Sequence, residues 1–429
     1  MTGMTVRPYW ELRFDAEGDV DTRQRDRLTE QVAQQRITDL VVFAHGWNND
    51  RATATALYEH FFAPFPGLLG EAEAVRLGYA GVIWPSMRFT DEAVPAFPPT
   101  AAAEAEPGLD EGTRAALEAV FPGRGQMVAR LAQLLAERPE QDSALDEFTV
   151  LVRGLARVPE GSGAAVYAPD VDGDEVPAML EEGPAYCELF ATALAGAEER
   201  GSGLLGGGLG GLWDGARELL RQTTYYAMKR RAGTVGRHGL GPVLGEVAAA
   251  RPGTRIHLVG HSFGGRLVSY ALGGLPGSTS VASLTLLQGA FSHYAFAERL
   301  PHATDRGGAL RADRGRVRGP LVSCHSRHDS ALGVLYPLAS QAARDDAALL
   351  GGGDARWGAM GHSGIQAVAG CARLDLAEAL KGPFPEDGCV SVDVSSVVRH
   401  GGPPAGAHSD ICHEELARVV LAAGRIAGR

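Results

Sequence analysis

A serine with glycine two positions to either side, Gly260-His261-Ser262-Phe263-Gly264, is the residue of this chain best placed for nucleophilic chemistry. A hydroxyl is a weak nucleophile at neutral pH, so it needs a base within hydrogen-bond reach and a third group to fix that base's tautomer. The flanks single out Ser262. Ile256, Leu258 and Val259 form a short apolar run suited to a buried parallel strand, while Leu267, Val268, Ala271, Leu272 and Leu275 recur at helical spacing. Ser262 therefore falls on a sharp strand-to-helix turn, which is sterically open only if its second neighbours lack bulk, as Gly260 and Gly264 do. With 57 glycines in 429 residues the bare pattern carries little, so the strand and helix around it carry the inference. A second match, Gly361-His362-Ser363-Gly364, runs into Ile365 and follows a poor strand; a loop is expected there.

Partners for Ser262 should follow other strands. In a parallel sheet with right-handed crossovers every strand's carboxyl end opens onto the same edge. The strand 319–325 is followed by Ser326-Arg327-His328-Asp329, and the strand 389–395 by the loop 397–409, which holds Gly406-Ala407-His408-Ser409-Asp410. Asp329 and His408 are selected as acid and base. His400 and His413 flank the same loop, and an ordinary solvated histidine is the plain reading of any one of the three. For Asp329 the plain reading is a helix cap or an ion pair with Arg327. Asp393, inside a strand, is a weaker acid candidate, and His328 lies on the wrong side in chain order. An oxyanion would need N–H donors. Phe263, at the helix N-terminus just after Ser262, offers one. Trp47 offers the other, in the turn His45-Gly46-Trp47-Asn48-Asn49, where Gly46 lets the backbone come close. A tight strand exit with a packed indole is compatible with that role.

These residues need strands to position them. Residues 8–14, 39–44, 78–84, 254–260, 283–288, 319–325 and 389–395 read as strands, several continuously apolar, as in a parallel sheet covered on both faces. Helices are expected at 23–36, from Asp50 onward with Asn49 or Asp50 as N-cap, at 240–250, and at 411–423. Between about residues 91 and 235 the chain turns rich in Ala, Glu, Gly and Pro, with helical patterns at 114–137, 144–158 and 181–199 and no convincing strand. It divides into a first part of the sheet domain (1–90), a helical insertion or cap (91–235) and a second part of the sheet domain (236–429). The Gly-rich stretch 201–212 is expected to be a flexible linker, with a mobile or lipid-contacting lid as the sharper alternative. The next segment, 212–231, carries Trp213, Ala216, Leu219, Leu220, Thr223 and Ala227 on one helical face.

Composition narrows the function classes. Forty basic against 52 acidic side chains give a net charge of −12, which argues against nonspecific nucleic-acid binding and adhesion to anionic membranes. No apolar run reaches the roughly 18 residues of a membrane span. Five dispersed cysteines without a C-x-x-C pair argue against a disulfide framework or zinc site. Together with an N-terminus that reads as no secretory signal, they make the cytoplasm the expected location. Asp170-Val-Asp-Gly-Asp174 with Glu181 faintly resembles a calcium loop, but Glu175 stands where glycine is needed, so an acidic surface loop is expected. Arg306, Arg311, Arg314, Arg316 and Arg318 are expected to be solvated.

The HGWNN turn, the GHSFG turn, Asp329 and His408, in this order and beside these strands, resemble the serine-hydrolase branch of the α/β-hydrolase superfamily. The chain is similar to its bacterial members with an HG-aromatic-Asn-Asn turn, over residues 38–90 and 236–425. The resemblance implies an α/β-hydrolase fold, a mostly parallel sheet flanked by helices, with a helical cap. It implies a catalytic triad of Ser262, Asp329 and His408, oxyanion donors at Trp47 and Phe263, no metal and no cofactor. A small-molecule or lipid-like acyl compound would be the substrate. Serine at the turn sets the chain apart from haloalkane dehalogenases and epoxide hydrolases, which use aspartate there. The insertion is longer than a usual cap, so substrate choice stays open. Two alternatives remain: transfer of the acyl group to an alcohol or amine, and a non-catalytic scaffold that binds partners through the insertion.

Overall fold

Strands β1 (Tyr9–Arg13), β2 (Asp39–Ala44), β3 (Leu77–Ile83), β4 (Arg255–His261), β5 (Ser283–Leu287), β6 (Leu321–His325), β7 (Ala372–Asp375) and β8 (Cys389–Asp393) form one sheet. The order is β1-β3-β2-β4-β5-β6-β8-β7, and every pairing is parallel. This computed structural model describes residues 4–70, 76–87, 89, 108–156, 169–172, 185–199, 209–335, 358–402 and 405–426.

The continuously apolar strands follow from burial on both faces. In β2, Leu40, Val42 and Ala44 join one core with Leu28 and Val32 of α1 (Thr22–Gln34). Val41 and Phe43 point the other way, to Tyr58, Phe61 and Phe62 of α2 (Arg51–Phe62). Each such side chain contributes about 1.5–3 kcal/mol when fully buried, so a charge at Val42 or Phe43 would break the layer it enters. Asp50 caps α2, its carboxylate accepting the Thr53 N–H at 2.8 Å.

Helix α3 (Phe65–Leu69) precedes β3; between β3 and residue 234 the helices among the described residues are α4 (Glu111–Val120), α5 (Gly125–Glu137), α6 (Asp142–Ala156), α7 (Ala185–Glu199) and α8 (Leu209–Thr234). The helical pattern at 114–137 resolves into two helices, because Pro122 cannot continue α4 and Gly123 turns the chain at φ +76°. On α8, Trp213, Ala216, Leu219, Leu220 and Thr223 are buried as expected. Residues 201–208 of the Gly-rich stretch lie outside the described residues; Leu209–Leu212 begin α8. A π-helical turn, Val235–Leu240, leads from α8 into α9 (Gly241–Ala250), the helix expected over 240–250.

Three other expectations are corrected, and one strand was unforeseen. The motif at 361–364 is no loop: Met360–Ser363 form a short helical turn, α11, after α10 (Phe263–Ala271). Asp170 belongs to no surface loop; it is 1% exposed and ion-paired to Lys229 at 3.0 Å and to Arg266. Asp174, Glu175 and Glu181 lie outside the described residues. Cys371 and Cys389 form a disulfide, a pairing that no sequence spacing signalled. Strand β7, followed by α12 (Leu376–Lys381), was not anticipated. Among the described residues no helix is long and apolar enough to cross a membrane. The arginines of 311–318 are taken up locally: Arg311 pairs with Asp172 at 3.0 Å, and Arg318 donates to Ser280 Oγ at 2.6 Å.

Candidate active site

Ser262 sits between β4 and α10 with φ 55° and ψ −122°, a backbone conformation that costs a non-glycine residue about 1–3 kcal/mol. Its surroundings hold it there. The Ser262 N–H donates to the Leu287 carbonyl at 3.0 Å, and the Ser262 carbonyl accepts from Gly265 at 3.0 Å and Ala290 at 3.3 Å. A Cβ at Gly264 would run into the carbonyls of Ala44 and His45, so only glycine lets α10 leave the turn this close to β2.

The structure brings Ser262, Asp329 and His408 together. His408 Nε2 lies 2.8 Å from Ser262 Oγ, and His408 Nδ1 lies 2.7 Å from Asp329 Oδ2. Asp329 has no exposed surface, and its other oxygen accepts the Leu332 N–H at 3.0 Å. A buried carboxylate only accepts hydrogen bonds, so His408 carries its proton on Nδ1 and turns the Nε2 lone pair to the hydroxyl. Backbone bonds join the loops that carry Asp329 and His408: Ala407 N–H donates to the His328 carbonyl at 2.9 Å, and Ala331 N–H to the Ala405 carbonyl at 3.2 Å.

The competing residues lie elsewhere. His400 and His413 both turn to Asp410, at 3.4 and 2.9 Å. His413 has its pKa raised by the hydrogen bond to Asp410. Burial works against ionisation of Asp410, but bonds from His413 and from the His400 and Arg399 N–H groups outweigh it and hold the carboxyl at about 2. Asp393 accepts the Ser395 N–H at 2.9 Å, and His328 is exposed.

One contributor was missed. His261 Nε2 lies 2.9 Å from the His408 carbonyl oxygen, so His261 helps to hold the backbone that carries His408. Burial, reinforced by the nearby His408, lowers the His261 pKa to about 3 and keeps it neutral. Adjacency to Ser262 was the only sequence signal for it.

The turn after β2 lies against the strand-to-helix turn at Ser262. A Cβ on Gly46 would come 2.7 Å from Ser262 Cβ. Neither the Trp47 nor the Phe263 amide N–H donates to a protein acceptor among the described residues. The Trp47 ring meets Phe89 and Tyr225 edge-on at 6.0 Å, and Tyr225, from α8, lies 4.6 Å from Phe263. No group of three or more potential metal ligands occurs among the described residues. The hydrogen-bonded series Ser262–His408–Asp329 is an arrangement through which a serine hydroxyl proton can pass to an imidazole. No family model, curated protein or solved structure matches the chain.

Proposed function

We propose that the protein is a serine-dependent hydrolase of carboxylic esters or related acyl compounds, of the α/β-hydrolase kind. The observation that carries this reading is the continuous hydrogen-bond chain Ser262–His408–Asp329, drawn from the ends of β4, β8 and β6. The parallel sheet and the Gly46 turn against Ser262 support it further.

In this mechanism His408 Nε2 takes the hydroxyl proton as Ser262 Oγ bonds to the substrate carbonyl carbon. The carbonyl oxygen becomes an oxyanion facing the Trp47 and Phe263 N–H groups, each typically worth about 3–4 kcal/mol to the transition state. His408 returns the proton to the departing alkoxide as the carbon–oxygen bond breaks. Water, deprotonated by His408 in turn, releases the acid and restores Ser262. Asp329 holds the imidazole and offsets its transient charge without taking the proton.

A fluorophosphonate probe tests the reading. Wild type should label at one site and Ser262→Ala should not. Equal labelling of Ser262→Ala removes this serine from the mechanism.

A further inference from the structure

The turn from His45 to Asn49 is tied down more heavily than a strand exit requires. His45 Nδ1 lies 2.8 Å from the Gly46 carbonyl oxygen, and Asn49 Nδ2 lies 3.2 Å from the same atom. Asn49 Nδ2 also donates to the Trp47 carbonyl at 2.9 Å. A carbonyl only accepts, so the His45 proton is on Nδ1, and its Nε2 faces the Trp84 N–H at 3.5 Å. This tautomer employs both ring nitrogens. Burial lowers the His45 pKa to about 4, so the ring stays neutral, stacked on Trp84 at 5.6 Å. The backbone around both residues is fixed as well: His45 N–H donates to Tyr58 Oη at 2.9 Å, and Ser86 Oγ donates to the Asn49 carbonyl at 2.7 Å.

The Gly46 carbonyl and the Trp47 N–H belong to one trans peptide, so they point in opposite directions. Holding the carbonyl turns the N–H away from His45 and Asn49, on the stretch of backbone that abuts Ser262. We propose that His45 and Asn49 are positioning residues that clamp the Gly46 carbonyl and thereby present the Trp47 N–H to the oxyanion formed at Ser262. The inference rests on the reading of Ser262 as nucleophile. Released, this peptide is free to turn over, which would set an acceptor where the developing negative charge needs a donor.

Asn49→Leu removes one of the two clamps, and Asn49→Asp replaces a donor with a group that repels both carbonyls. Loss of an oxyanion donor costs about 10²–10³-fold in kcat. Asn49→Asp is expected to approach that loss and Asn49→Leu to fall about tenfold, with KM within about twofold, because the ground-state carbonyl draws little on the donor. Affinity for a trifluoromethyl ketone, whose adduct with serine carries an oxyanion, should drop in parallel with kcat. A crystal structure of Asn49→Leu reads the peptide directly, and the Gly46 carbonyl should have left its wild-type position. Both variants at wild-type kcat and ketone affinity, with Tm unchanged, overturn the clamp. If wild type neither hydrolyses esters nor takes the fluorophosphonate at Ser262, the hydrolase reading fails. The clamp is then decided by the Asn49→Leu crystal structure alone, where an unmoved Gly46–Trp47 peptide overturns it.

Discussion

Replacing Asp329 by Asn changes one atom and, in this environment, reverses a proton. The two carboxylate oxygens have different duties: Oδ1 accepts the Leu332 N–H at 3.0 Å, and Oδ2 accepts from His408 Nδ1 at 2.7 Å. An asparagine can place oxygen at only one of these positions. Facing Leu332 with its NH2 would bring two donors together in a site without exposed surface, a cost of about 1–3 kcal/mol. The weaker Gln288 contact, 3.5 Å from Oδ2, does too little to reverse that choice. The amide NH2 therefore faces His408, whose Nδ1 must give up its proton. The proton moves to Nε2, directly opposite Ser262 Oγ, where a lone pair is needed. In the chymotrypsin-type triad the corresponding change lowers kcat by about 10⁴, or about 5.4 kcal/mol at 1.36 kcal/mol per decade. The same order is expected here, with KM nearly unchanged. Steady-state hydrolysis of p-nitrophenyl esters of graded chain length measures both constants. An Asp329→Asn enzyme keeping more than about a tenth of wild-type kcat would refute the tautomer argument.

Other outcomes follow from neighbouring features. Gly46→Ala should abolish most turnover while leaving a folded protein, because its Cβ would come 2.7 Å from Ser262 Cβ; circular dichroism and ester turnover check this together. Stability should fall as the pH drops from about 6.5 towards 4. His45 and His261 stay neutral when folded, with pKa values of about 4 and about 3, while the unfolded chain takes up protons through 6.5, so acid favours unfolding by several kcal/mol in all, up to about 1.4 per pH unit for each of the two. The depressed Asp410, at about 2, adds to the loss below its ordinary value of 3.8, whereas the raised His413 removes stability only as pH climbs past 6.5. Urea titrations at pH 7, 5.5 and 4.5 that give equal free energies would contradict this. Thiol titration of the unfolded, unreduced chain should find three of the five cysteines, Cys187, Cys324 and Cys412. Cys371→Ser should destabilise by roughly 3 kcal/mol, since the bond closes an 18-residue separation.

The strands that meet at the site were legible because burial on both faces leaves a run such as Leu40-Val41-Val42-Phe43 with no polar interruption. Once those runs were read as parallel, the positions of Ser262, Asp329 and His408 after strand ends followed from the geometry of crossovers. Strand β7 was not legible: Ala372-Arg373-Leu374-Asp375 is a half-exposed edge whose charged residues look like a loop. The Cys371–Cys389 bond depends on β7 lying beside β8, so it was hidden for the same reason. His45 and Asn49 could be read only as parts of a turn, because their effect lies in which way one peptide plane faces, and residue types do not encode that.

Arg266, one turn past Ser262, has no exposed surface, and its charge is answered by Asp170; its Nε donates to the Lys229 carbonyl at 2.9 Å. Both partners come from the chain between β3 and β4. Removing one partner of such a buried pair typically costs 3–5 kcal/mol, a large share of the 5–15 kcal/mol that holds a domain folded. Excising residues 91–235 to obtain a minimal sheet domain would thus strand a guanidinium in the interior, on the helix that follows Ser262. Engineering that trims or swaps this region has to supply a new counter-ion for position 266, or replace the arginine with an apolar residue of similar volume.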